Sequence, residues 1–64
     1  MKTDSQRLEE VREKLRQLNP TLGQTMQLLA GSMLRRASNT LPEDPDRQGY
    51  IKAIEDFVEE LSKI

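Results

Sequence analysis

The side chains of this chain that can carry out chemistry are carboxylates, amines, guanidinium groups and hydroxyls, because histidine and cysteine are both absent. Thiol nucleophiles, disulfides, zinc fingers and histidine-assisted serine catalysis are therefore excluded. The densest carboxylate group is Glu55, Asp56, Glu59 and Glu60, but the spacing and central glycine of a calcium-binding loop are missing there. General acid–base catalysis also needs a titratable group in a partly dry site. The pattern predicts solvated carboxylates, and hence no enzyme, no metal site, no cofactor and no small-molecule substrate.

The charge balance argues against a dedicated nucleic-acid-binding protein, and the hydropathy pattern argues against a membrane protein. Ten Lys and Arg residues stand against eleven Asp and Glu residues, a net charge of −1, whereas nucleic-acid-binding domains usually carry a basic excess. The longest uncharged run, Gln17 to Leu34, carries too many amide and hydroxyl side chains to span a bilayer. The first ten residues, MKTDSQRLEE, lack the apolar core of a secretory signal. We therefore expect a cytoplasmic protein, a location that the absence of cysteine also favours.

Apolar spacing predicts a first helix over residues 4–18. Leu8, Val11, Leu15 and Leu18 recur at intervals of three and four residues, which places them on one narrow stripe. The stripe has the spacing of a coiled-coil seam, but two heptads are too few for a free coiled coil. It therefore predicts packing against the other helices of a small bundle.

The second predicted helix covers residues 20–37 and is the most apolar of the three. Asn19 suits an N-cap and Pro20 the first helical position, so the pattern predicts a break there. A single helix kinked at Pro20 is the alternative, because leucines spaced by seven continue across the proline: Leu8, Leu15, Leu22 and Leu29. A helix with this many apolar residues is usually covered on more than one side, so we expect it at the centre of the fold. Gly23 and Gly31 would let a neighbouring backbone approach closely.

The composition of residues 38–44, SNTLPED, predicts a loop. Asp44 and Pro45 then repeat the pattern of N-cap and first-turn proline, so a third helix is expected over residues 45–62. Its apolar face consists of Tyr50, Ile51, Ile54, Phe57, Val58, Leu61 and Ile64. The predicted fold class is all-α: a single helical domain over residues 1–64 that forms a three-helix bundle, or a helical hairpin with a kinked first helix.

A chain of 64 residues with two aromatic side chains can bury only a small core. Neither a disulfide nor a metal bound by histidine or cysteine is available to stabilise it, so association with another chain is the natural supplement. We therefore expect a homodimer or a complex with another protein. The alternative is a compact monomeric bundle.

The predicted function is a small protein–protein interaction module that acts as a regulator, adaptor or inhibitory subunit. The candidate partner-binding residues lie on the second helix: Leu22, Met26, Leu29, Met33 and Leu34. Methionine is flexible and suits an adaptable contact surface. The alternative is a DNA-binding accessory protein that uses the arginine-rich N-terminal half, where seven basic and four acidic residues give residues 1–38 a net charge of +3. Its candidate nucleic-acid contacts are Arg12, Arg16, Arg35 and Arg36.

Overall fold

Three α-helices make up the fold in a computed structural model that describes residues 1–18 and 21–63. α1 spans Asp4–Arg16, α2 spans Gln24–Asn39 and α3 spans Arg47–Ser62. Each helix contacts the other two. The chain is therefore a small all-α three-helix bundle, which confirms the predicted fold class. None of the helices in the described part of the chain is both long and apolar enough to cross a membrane.

The centre of the bundle is α3. The buried side chains of the described residues form one cluster, which consists of Leu8, Val11, Ala30, Ala37, Ile51, Ile54, Val58 and Leu61. Half of this cluster belongs to α3, and Ile51, Ile54 and Val58 have no exposed surface at all. The prediction that the second helix forms the centre is wrong, because α2 contributes only two alanines. The most apolar helix by composition is thus not the most buried one.

A polar network holds α1 against α3. Arg7 donates to both carboxylate oxygens of Glu55, at 3.0 and 2.5 Å, and to the amide oxygen of Gln48 at 2.8 Å. Asp4 accepts hydrogen bonds at 3.0 Å from Gln48 and from Arg47. Glu55, expected from the sequence on a solvated face, is therefore half-buried and paired.

These hydrogen bonds shift the ionisation of the network. The amide of Gln48, followed by the guanidinium of Arg47, holds the pKa of the Asp4 carboxyl below its usual range. The hydrogen bonds from Arg7 lower the pKa of Glu55, and the pairing with Glu55 raises the pKa of Arg7. Both carboxylates therefore favour the folded chain when they are ionised.

The link between α1 and α2 begins earlier and ends later than predicted. α1 ends at Arg16, so Leu18 lies beyond the helix, and Leu22 is also outside any helix. A single helix kinked at Pro20 is therefore wrong. The predicted N-cap and first-turn positions at Asn19 and Pro20 lie outside the described residues. The N-cap of α2 is Gly23, whose carbonyl accepts the first amide hydrogen bonds of the helix.

The predicted loop over residues 38–44 is also shorter than expected. Ser38 and Asn39 belong to the last turn of α2. Thr40 ends the helix, because its backbone is extended, with φ −71° and ψ 133°. Its hydroxyl and its amide both donate to the carbonyl of Arg36, at 2.7 and 3.1 Å. Short polar side chains that bond a carbonyl one turn back are compatible with a helix end as well as with a loop.

The sequence predicted Asp44 as the N-cap of α3, and this prediction is wrong. The N-cap is Asp46. The carboxylate of Asp44 accepts the amide hydrogen of Asp46 at 2.8 Å, which closes a turn around Pro45 before the helix begins. Arg47, the first residue of α3, also donates to the backbone carbonyl of Thr40. The two ends of this connection are thereby tied together.

Ile54→Asp is expected to unfold the chain. The substitution places an unpaired carboxylate in the fully buried row of α3, at a cost of roughly 3–5 kcal/mol. That cost is comparable with the whole stability of a domain of this size, roughly 3–10 kcal/mol. Far-UV circular dichroism and thermal melting measure the effect. Gly49→Asp, which adds the same charge at an exposed position in the first turn of α3, is the matched control and is expected to stay helical. An unchanged melting temperature for Ile54→Asp would contradict the buried position.

Acid is expected to destabilise the bundle through Asp4 and Glu55. Because their pKa values are lowered in the folded chain, the unfolded chain takes up protons first as the pH falls. Their contribution is complete well above the ordinary carboxyl pKa of about 4, and it is lost as the pH falls through and below that value.

Glu55→Gln tests this assignment. Near neutral pH the variant is expected to be about 1 kcal/mol less stable than the wild type. Between about pH 6 and about pH 3, its free energy of unfolding is expected to fall by less than that of the wild type. Glu59→Gln removes an exposed carboxylate of the same helix and serves as the control. Urea unfolding at several pH values gives the free energies. Equal acid sensitivity of Glu55→Gln and the wild type would refute the role of the Arg7–Glu55 pair.

Candidate protein-interaction surface

The inner face of α2 carries its smallest apolar residues. Ala30 and Ala37, two turns apart, have no exposed surface. Met33 and Leu34 are partly buried and pack against the core cluster. Small side chains on the inner face allow α2 to pack closely on its neighbours.

The outer side of α2 carries larger apolar residues. Met26, Leu28 and Leu29 have exposed fractions of 40%, 65% and 50%, and we refer to these three residues as the α2 surface. Successive residues of a helix are about 100° apart, so Leu28 and Leu29 point in different directions. Leu29 lies on the side towards α3, and Leu28 lies further round the helix. Leu28 and Leu29 therefore add apolar area that the three-helix bundle itself does not cover.

A groove between α2 and α3 borders the α2 surface. Its cavity of about 300 Å³ is lined by Leu29, Ser32, Met33, Arg36, Tyr50 and Ala53; we call it the α2–α3 groove. Leu29 and Met33 of α2 and Tyr50 and Ala53 of α3 are the larger part of this lining. A second cavity of about 580 Å³ continues past Tyr50 towards the loop, where Leu41 is 62% exposed. Most residues that line this second cavity are polar or charged, and Leu41 and Tyr50 are the exceptions.

Two arginines and one aspartate lie at one end of the groove. Arg35 and Arg36 line the second cavity near the end of α2, and Asp44 lines it as well. Among the described residues, no carboxylate lies within 4.0 Å of either guanidinium. A negatively charged group of a partner could therefore pair with either guanidinium without first breaking an ion pair.

The predicted partner-binding residues divide into two groups. Met26 and Leu29 are exposed, and Met33 lines the groove. Leu22 and Leu34 are, like Met33, partly buried against the core cluster, but neither of them lines the α2–α3 groove. The structure thus brings three of the five residues to one accessible side of the bundle.

The predicted nucleic-acid contacts do not form one continuous set of unopposed cations. Arg12 and Arg16 pair with glutamates three residues earlier on α1, at 3.2 and 3.1 Å. Arg12 also reaches the hydroxyl of Ser38 on α2, at 3.5 Å. Arg35 and Arg36 lie apart from these pairs on α2.

Sequence reasoning did not select four residues that belong to this side of the molecule: Leu28, Leu41, Tyr50 and Ala53. Leu28 is next to Leu29, which was selected, but the exposure of Leu28 depends on which side of α2 packs against the core. Tyr50 and Ala53 come from α3, so their proximity to Leu29 depends on tertiary packing. The one available signal was the excess of apolar residues on the second helix over what one helix face can hold.

Buried polar side chains and clusters of carboxylates were sought in the described part of the chain. No polar or charged side chain among the described residues is buried, and no group of three or more Asp and Glu residues within residues 1–18 and 21–63 is placed to hold a metal ion. Comparison with known protein families, with curated proteins and with solved structures found no match for this chain.

Gly31→Ala is expected to stabilise the protein by about 0.5–1 kcal/mol. A Cβ atom at Gly31 or Gly23 would have no described atom within 4 Å beyond the adjacent residues and the backbone of its own helix. The expected close approach of a neighbouring backbone at these glycines is therefore wrong. Within α2, alanine fits without a clash and restricts the unfolded chain. Gly23→Ala is the control: it also has space, but glycine is preferred to alanine at an N-cap. Denaturant unfolding measures both, and a destabilised Gly31→Ala would indicate a contact that the structure lacks.

Proposed function

We propose that this protein is a small protein–protein interaction module that acts as a regulator, adaptor or inhibitory subunit. The observation that supports the proposal is the arrangement of α2, which buries Ala30 and Ala37 and exposes Leu28 and Leu29. Exposed leucines beside an apolar groove favour contact with an apolar surface of another chain. A cytoplasmic location, which the cysteine-free composition favours, is part of the same proposal.

The size of the exposed apolar area limits how the module can bind. The exposed fractions of the α2 surface correspond to about one and a half side chains, whose burial is worth roughly 3 kcal/mol. Micromolar affinity requires a net free energy of about 8 kcal/mol. A partner must therefore also enter the α2–α3 groove and contact Tyr50, Ala53 and the arginines at its end.

The alternative function, a DNA-binding accessory protein, has weaker support. Two of its four candidate arginines are paired with glutamates on their own helix, and phosphate binding needs cations that are free to replace counterions. Titration with duplex DNA at increasing salt distinguishes the two functions. Binding whose affinity falls steeply with salt would favour the alternative, and absence of binding at about 50 mM salt would exclude it.

Site-specific photocrosslinking tests the proposed function. A photoreactive amino acid at position 28 or 29, in the protein produced by its native cells, is expected to give a defined crosslinked product. The same group at position 59, on the exposed acidic face of α3, is the matched control and is expected to give little. Leu28→Lys, combined with the crosslinker at position 29, is expected to reduce the product. Equal crosslinking from positions 29 and 59 would contradict an interface on α2.

A further inference from the structure

We propose that the α2–α3 groove binds an acidic amphipathic helix of another protein. The inference rests on the proposed function, because it gives the chemistry of the partner for the surface described above. The partner helix places two apolar side chains in the groove and sets a carboxylate against the arginines at its end. The ion pairing of the arginines, the lining of the groove and its length each support this occupant.

Most arginines of the chain already have a carboxylate partner. Four of the six form ion pairs within the chain: Arg7, Arg12, Arg16 and Arg47. The two exceptions among the described residues are Arg35 and Arg36, which are adjacent, exposed and placed beside the groove. The guanidinium groups without an ion pair are therefore gathered at one site.

The aspartate at this end of the groove does not cancel the two positive charges. Asp44 lines the second cavity, but its carboxylate accepts the amide hydrogen of Asp46 and lies more than 4.0 Å from both guanidinium groups. Two positive charges thus stand against one negative charge. An approaching carboxylate is attracted to this end of the groove.

The lining of the groove favours a protein segment over a nucleic acid or a small molecule. Arg36 shares the cavity with four apolar or aromatic side chains: Leu29, Met33, Tyr50 and Ala53. Phosphates pair with arginine but have no apolar group to cover the other four. A volume of about 300 Å³ is at the lower limit for a whole ligand, roughly 300–1,000 Å³, and suits one or two side chains of a helix.

The groove has the length of two helical turns. The residues of α2 that line it are Leu29, Ser32, Met33 and Arg36, which share one face of the helix. Leu29 and Arg36 are seven residues apart, about 10.5 Å along the axis. A partner helix that lies along α2 covers this distance with an apolar pair four residues apart and a carboxylate three residues beyond the pair.

The described part of this chain does not contain such a helix. α3 is acidic, but its apolar residues Ile51, Ile54 and Val58 are fully buried in the core. The apolar residues Leu8 and Val11 of α1 are buried as well. α2 exposes apolar residues but has no carboxylate. The occupant of the groove is therefore a different protein and not a second copy.

Two synthetic peptides test the occupant. Both are alanine-rich helices with two leucines four residues apart, and they carry either Glu or Lys three residues outside each leucine. A charge on both sides of the pair meets Arg36 whichever way the peptide runs. Fluorescence anisotropy at about 50 mM salt, where charges are weakly screened, measures the dissociation constants. The wild type is expected to bind the glutamate peptide with a constant of about 10–100 µM and the lysine peptide about ten-fold more weakly.

Arg36→Glu is expected to reverse the order of the two peptides, because the glutamate peptide then meets a like charge. Arg16→Glu is the matched control: it makes the same change in the last turn of α1, where the side chain is 73% exposed and does not line the groove. It is expected to leave both dissociation constants unchanged. Ala53→Gln fills the groove without a change in charge and is expected to weaken the glutamate peptide about ten-fold. Circular dichroism confirms that each variant is folded.

A glutamate peptide that does not bind at about 1 mM overturns the proposal. Equal affinity for the two peptides, or an order that Arg36→Glu does not reverse, overturns it as well. Duplex DNA that binds more tightly than the glutamate peptide, and loses its affinity in Arg36→Glu, would assign the arginines to phosphates and refute the acidic helix. If neither peptide binds but position 29 still crosslinks to another protein, the acidic helix is refuted and the proposed function stands. If position 29 crosslinks to nothing, both are refuted.

Discussion

The row of branched aliphatic side chains on α3 is the interaction on which both other helices depend. Ile51, Ile54 and Val58 are fully enclosed, and α1 and α2 each pack against α3. Because α3 serves as the shared partner, each of the other helices keeps an outer side towards solvent. The outer side of α1 is charged, whereas that of α2 carries Leu28 and Leu29. The packing that stabilises the bundle therefore also determines which apolar residues stay uncovered.

Apolar packing alone leaves the axial position of a helix weakly specified, since it is not directional. The hydrogen bonds of Arg7 with Glu55 and of Asp4 with Arg47 are directional, and they fix the axial position of α1 along α3. They lie on the side of α3 that faces α1, while the groove lies on the side that faces α2. The side of α3 that faces α1 is thus neutralised within the bundle, whereas Arg36 of α2, which lines the groove, has no ion pair among the described residues.

Sequence periodicity predicted the number of helices, the buried stripe of α1 and the buried face of α3, because those helices are apolar on one side only. It failed for α2, whose apolar residues surround the helix, since composition does not show which side a neighbour will cover. Helix ends at Gly23 and Asp46 were missed because several nearby residues are equally good caps. The pairing of Arg7 with Glu55 joins residues 48 positions apart, which no local pattern reveals.

The two inward-facing alanines of α2 also bear on how the bundle opens. Burial of a methyl group contributes under 1 kcal/mol, against roughly 2–3 kcal/mol for each isoleucine or valine of α3. The fully buried residues of α2 are thus smaller than those of α3, and α2 depends in addition on the partly buried Met33 and Leu34, which pack against the core cluster. Amide hydrogens along α2 should consequently exchange with solvent sooner than those of α3, and any chain that covers Leu29 would slow that exchange.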